Sequence, residues 1–130
     1  MSSKSKGSNA ERDLIHRFWA EKEWCAIRVA GSGSSQYPSP DILASNIKRR
    51  LAIEAKLINK SSKYFDYEEI NQLKEFSAKF GAEPWIAIKF KGEKWFFISL
   101  EDLKQTKNAL CIDLDLAKHK GLNFEELIKF

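Results

Sequence analysis

The sequence predicts an α/β fold in which one mixed sheet is flanked by helices. Three observations predict it. Two stretches, 8–23 and 67–80, carry apolar residues at helical spacing, and five short apolar runs lie between turn-forming residues. The order in which they occur is helix, three strands, helix, two strands, with a further helix expected at 123–129. A chain of 130 residues fits one domain over 1–130, with the polar, basic stretch 1–7 expected to be a flexible tail.

Each element has its own signature. In 8–23, Leu14, Ile15, Phe18 and Trp19 fall on one helical stripe, and Ser8 with Glu11 matches a capping box, where each side chain satisfies an orphan amide. Residues 24–30 read as a strand, and 31–40, rich in Gly, Ser and Pro, as a loop. Ten residues is long for a connection in a compact domain, and such loops are often functional. Strands follow at 41–45 and 50–57, joined by a hairpin at 46–49. The helix at 67–80 has the clearest marks: Asp66 and Glu69 as capping box, Ile70, Leu73, Phe76 and Phe80 as apolar stripe, and Gly81 as stop. The runs 85–91 and 94–99, around a turn at Gly92 and Glu93, are apolar enough to lie in the core sheet.

Composition sets the broad class. Hydrophobic residues at 43% and charged residues at 31% are ordinary for a soluble globular protein. No apolar run approaches the ~20 residues of a membrane helix, so no membrane association is expected. The basic N-terminus lacks an apolar stretch behind it, so a secretory signal is not expected either, and the expected location is cytoplasmic. Cys25 and Cys111 have no metal-ligand spacing and sit beside apolar residues, which predicts buried, reduced thiols. The net charge of +4 and pI near 9.0 suit a polyanionic partner without requiring one. Cations gather at Lys4/Lys6, Lys48-Arg49-Arg50, Lys56/Lys60/Lys63 and Lys89/Lys91/Lys94. The 48–50 cluster reads as a solvated hairpin tip or a phosphate contact.

Four residues form the candidate site: Glu11, Asp41, Glu54 and Lys56. Side chains alternate along a strand, so Glu54 and Lys56 share one face while Ile53 and Ala55 share the other. A hairpin can bring Asp41 beside Glu54. Two hard oxygen ligands on a rigid sheet suit Mg²⁺, which keeps several waters and binds through one or two carboxylates plus substrate phosphate. Such an ion polarises a scissile phosphate and acidifies an attacking water. Lys56 is placed to orient that water or to offset charge on the phosphoryl oxygens. A Glu and a Lys two apart on a strand are commonly just a solvated pair. Here the strand is otherwise apolar, and Pro40-Asp41 lies at hairpin distance. Glu11 fits two roles, helix cap and site carboxylate, and they are compatible. His16 and His119 lack partner spacing for a metal or a catalytic dyad, and Gly31-Ser32-Gly33 lacks the second half of a phosphate-loop motif.

Taken in order, several pieces resemble the archaeal Holliday junction resolvases of the P-D-x(n)-[D/E]-x-K nuclease superfamily. They are Lys6-Gly7 before Ala10-Glu11-Arg12, Arg28 to Gly33, Pro40-Asp41-Ile42, Ala52 to Lys56, and Gln72-Leu73 before Phe76. The resemblance runs from about Lys6 to about Leu103. It implies a restriction-endonuclease-like fold, with a five-stranded mixed sheet flanked by helices, and a homodimer. It implies Mg²⁺-dependent cutting of four-way DNA junctions in paired strands, leaving 5′-phosphate and 3′-hydroxyl ends, with Mn²⁺ substituting and no small-molecule cofactor. Asp41 and Glu54 would be metal ligands, with Glu11 completing the acidic site as a third ligand, Lys56 the catalytic lysine, and Ser32 a loop serine of the catalytic set beside it. Arg12 and Arg28 match DNA-contact positions, and Lys4, Lys6, Gly31, Ser32, Gly33 and Lys89 are expected on the same DNA-facing surface. Ala55 departs from the bulkier residue frequent at its position. Two other readings stay open: another nuclease on this fold, serving repair, restriction or viral genome processing, and a non-catalytic branched-DNA-binding module. Some of the aromatic excess (Phe65, Phe76, Trp85, Trp95, Phe97) is a candidate for the subunit contact.

Overall fold

The computed structural model describes residues 3–29 and 36–130, with side chains from Lys6 onward. Helix α1 (Ser3–Ala20) leads into β1 (Cys25–Arg28), β2 (Ile42–Ser45) and β3 (Arg50–Ile58). Then come β4 (Ser62–Phe65), helix α2 (Tyr67–Phe80), β5 (Glu83–Phe90) and β6 (Trp95–Ser99). A 3₁₀ turn at Leu100–Asp102 precedes β7 (Lys104–Gln105), β8 (Leu110–Asp113), α3 (Leu114–Lys120) and α4 (Phe124–Lys129).

The main sheet has five strands in the order β1-β2-β3-β5-β6. All neighbours are antiparallel except β3 and β5, which run parallel from Leu51 beside Glu83 to Ile58 beside Phe90. A parallel pair needs a long crossover, and the segment holding β4 and α2 supplies it. Both faces of its central strands, β3 and β5, are covered. Leu51 and Ile53 of β3 and Trp85 and Ala87 of β5 pack with Leu14 and Phe18 of α1 and Phe124 and Leu127 of α4. The alternate residues Ala52, Ile86, Ile88 and Phe90 pack with Ile70 and Leu73 of α2. Burial on both sides explains why β5 and β6 read as nearly unbroken apolar runs.

The second helix forms as its sequence predicts. Asp66 and Glu69 make the reciprocal capping box, and Gly81 ends the helix at φ 81°, a left-handed conformation that glycine adopts without steric cost. The β2–β3 hairpin is closed by Asn46, whose Oδ1 accepts from the Lys48 and Arg49 amides at 2.8 and 2.6 Å.

Several expectations are corrected. Helix α1 begins at Ser3 and ends at Ala20, so residues 3–7 are helical rather than a flexible tail, and Ser8 lies inside the helix instead of capping it. The small sheet β4-β8-β7 and helix α3 are additional to the expected elements. Cys111 is buried but Cys25 is exposed, and Phe80 is 51% exposed rather than core. Phe65, Trp85, Trp95 and Phe97 are core, at 0–6% exposure, and are not available for a subunit contact. Arg49 is neither a solvated tip nor free to bind phosphate. Its guanidinium forks onto Glu83 at 2.8 and 2.9 Å, donates to the Leu127 carbonyl at 2.7 Å, and lies over the Trp24 and Phe130 rings.

Candidate active site

Strand β3 places the central pair. Glu54 lies beside Ile86 and Lys56 beside Ile88 in register, on the sheet face that α2 covers. Asp41 enters from the neighbouring chain segment, just before β2. Its amide donates to the Ile53 carbonyl at 3.0 Å, and its own carbonyl accepts from Val29 at 2.8 Å. Its carboxylate Oδ2 accepts the Ala55 amide at 2.9 Å. The middle residue of the Glu-Ala-Lys run thus fixes Asp41 through its backbone, while its side chain packs toward α1. A small residue suffices there.

Around this pair is a cleft of about 390 Å³ lined by Tyr37, Ser39, Asp41, Glu54, Lys56 and Glu69, among others. The Lys56 amine stands 3.4 Å from Glu54 Oε2 and 3.9 Å from Glu69 Oε1. Burial is the main force raising the Glu54 carboxyl to about pKa 7, followed by the Asp41 charge and opposed by Lys56. The Asp41 and Glu54 carboxyls also hydrogen-bond to each other. Two carboxylates held together in a half-closed site repel when both ionise. A divalent cation relieves that repulsion, and hard oxygens are the donors it prefers. The donor set fits Mg²⁺.

Glu11 comes near from α1, and its pKa is raised by burial and then by Asp41. However, its Oε1 accepts from Arg28 Nε at 3.0 Å, and Arg28 Nη2 also donates to Ser8 Oγ at 3.1 Å. Among the described residues no three His, Cys, Asp or Glu side chains come together as a ready metal cage. The pair Asp41 and Glu54 is assembled; Glu11 is held beside it by Arg28.

Of the other expected residues, Lys6 and Arg12 are exposed on α1, where Arg12 donates to Asn9 at 3.3 Å. Lys89 is not brought to the cleft. It pairs with Leu57 and Trp95, which by strand alternation puts it on the face opposite Lys56, and its amine donates to the Glu93 carbonyl at 2.6 Å. Gly31, Ser32 and Gly33, and the side chain of Lys4, lie outside the described residues. Sequence reasoning missed Glu69, Ser39 and Tyr37 as cleft residues. The capping box is a sufficient reason for Glu69 in the sequence, and the composition around the other two predicts only a loop. Ser39 Oγ is buried with no hydrogen-bond partner among the described residues. The Pro-Ser-Pro-Asp order around it is the available signal.

A five-stranded mixed sheet whose central strand carries Glu54 and Lys56 on one face, with Asp41 brought beside them, defines a nuclease-type, restriction-endonuclease-like domain. The family model for archaeal Holliday junction resolvases (Hjc) matches residues 2–130, and the chain belongs to that family. A crossover junction endodeoxyribonuclease Hjc of Archaeoglobus fulgidus is 40% identical over 130 residues, covering 95% of each chain. A crossover junction endodeoxyribonuclease Hje of Saccharolobus islandicus is 36% identical over 129 residues, covering 94% of each. The structure of Archaeoglobus fulgidus Hjc, a Holliday junction resolvase from a hyperthermophile, matches with a TM-score of 0.86 at 38% identity, over 93% of this chain and 97% of that one.

Proposed function

We propose that this chain resolves four-way DNA junctions by Mg²⁺-dependent phosphodiester hydrolysis in paired strands, working as a homodimer. The observation that carries the reading is the cleft in which Asp41, Glu54 and Lys56 converge. Asp41 and Glu54 would hold the ion, with Mn²⁺ as a substitute; when bound, it polarises the scissile phosphate and acidifies a water. Lys56 faces the same space, placed to orient the attacking water or offset charge on phosphoryl oxygens. Arg28, half-buried between Glu11 and Ser8, and Arg12, exposed on α1, would contact phosphate and fix register without reading bases. A DNA substrate places the work with the chromosome, in the cytoplasm. The described helices include none long and apolar enough to cross a membrane.

The dimer rests on an uncovered apolar face. Ile27 is 59% and Phe80 51% exposed, and both line a shallow groove with Leu43 and Ala44. Phe80 stacks on Phe76 at 5.1 Å, and a second groove there is walled by Tyr37 and Pro38, which also line the catalytic cleft. A twofold contact on this face would set two clefts beside one axis, as paired cutting requires.

Competition tests the substrate. Labelled four-way junction is challenged with excess linear duplex of the same sequence, and cleavage is followed with and without Mg²⁺. The junction should be cut only with the ion and displaced poorly by linear DNA. Equal competition by linear DNA would instead favour a general nuclease on this fold.

A further inference from the structure

The geometry points to Glu69 as the positioning residue for Lys56, a role that rests on the catalytic reading of Lys56 above. Glu69 sits in the first turn of α2 and uses its two carboxylate oxygens differently. Oε2 accepts the Asp66 amide at 3.2 Å, while the Glu69 amide donates to Asp66 Oδ1 at 2.7 Å. Oε1 points to the other side, 3.9 Å from the Lys56 amine. The capping box therefore does more than close the helix. It fixes a carboxylate whose free oxygen reaches across the cleft to the sheet.

Lys56 needs such an anchor. A lysine side chain has many rotamers, and holding its amine in one place costs conformational entropy. Its nearer partner, Glu54 at 3.4 Å, already shares a hydrogen bond with Asp41 and belongs to the donor pair that fits a cation. Negative charge given to a cation is no longer available to hold an amine. Glu69 comes from a different element and has no such second demand. It lines the cleft with Lys56, so the amine stays at the cleft wall when Glu54 is engaged. Residues that orient a reacting group through one further contact typically matter by about 10- to 100-fold.

Glu69→Gln separates this role from capping, because glutamine also serves at this place in a capping box but carries no charge. Under saturating Mg²⁺ and enzyme excess, the single-turnover cleavage rate of E69Q should fall about tenfold or more. Its junction Kd should stay within about twofold and its melting temperature should be unchanged. Asp66→Ala removes the cap yet leaves the backbone amide that holds Glu69 Oε2; it should lower the melting temperature and spare the rate. In a Lys56→Met background, E69Q should cost nothing further. A wild-type rate for E69Q, an equal rate loss in D66A, or a full additional loss on top of K56M would each overturn the proposal. Glu54→Gln, run alongside, keeps the outcomes distinct: if it too cleaves normally, the catalytic reading fails first.

Discussion

Glu54 holds a charge that its surroundings oppose, and this gives the site a signature that can be read without DNA. Its carboxyl is raised to about pKa 7, first by burial and then by Asp41. A folded-state pKa above the unfolded one means the folded state binds the extra proton. The cost of ionising Glu54 is therefore absent below the ordinary carboxylate value of 4.5, grows as pH rises toward about 7, and is complete above it. In metal-free protein, Glu54→Gln should stabilise the fold at pH 8 by about 1–3 kcal/mol, and the gain should shrink toward pH 5. Mg²⁺ should raise the wild-type melting temperature at pH 8 and barely move the variant. The same substitution should lower cleavage by about 10²-fold or more. Calorimetry with chelator and with Mg²⁺ checks the first part and a junction gel the second. A variant that melts like wild type at pH 8, or that cleaves normally in saturating Mg²⁺, removes Glu54 from the metal pair.

At the scale of elements, the C-terminal helix is fastened by one arginine. Arg49, on the β2–β3 hairpin, joins Glu83 at the start of β5 to the Leu127 carbonyl of α4, and the Trp24 and Phe130 rings lie against it. Arg49→Ala takes from Glu83 its charged partner, leaving it the Trp85 indole at 3.2 Å, and leaves the Leu127 carbonyl the longer Phe130 amide at 3.3 Å, so a loss of about 1–3 kcal/mol is expected. Amide exchange should quicken in α4 far more than in β3; uniform exchange would mean that α4 is held by its apolar face alone. Such long-range contacts mark where local reading stops. Helix α2 was legible because its start, stripe and stop are all local: Asp66, Glu69 and Gly81. The start of α1 was misread because Ser8 and Glu11 have capping-box spacing, yet both side chains turn to Arg28 on β1, which no local rule anticipates. Strands β4, β7 and β8 have two to four residues each, too short to show alternation. In the site, Glu54, Lys56 and Asp41 were legible from strand alternation and hairpin distance. Glu69 was hidden because a sufficient local role, the cap, stood in front of the second one.

For the whole molecule, the decisive question is how one small domain makes two cuts. Among the described residues of this 15.0 kDa chain, Asp41, Glu54 and Lys56 gather in a single cleft, while paired cutting in strands of like polarity is most simply made by two clefts related by symmetry. The apolar face holding Ile27, Phe76 and Phe80 adjoins the cleft through Tyr37 and Pro38, so the proposed pairing there would bring two clefts toward one side of a dimer. Phe80 is half-exposed, and a charge at that position meets water in a monomer but another copy's apolar surface in a dimer. Phe80→Asp should therefore leave the monomer folded and break the dimer. Sedimentation at micromolar concentration should show wild type near twice the chain mass and the variant near the chain mass itself. On a four-way junction the variant should lose paired cuts and leave single nicks, because each cleft remains whole. A variant that still sediments as a dimer places the contact elsewhere on the surface. A wild-type chain that is monomeric at that concentration, yet still makes paired cuts, removes the need for a dimer altogether.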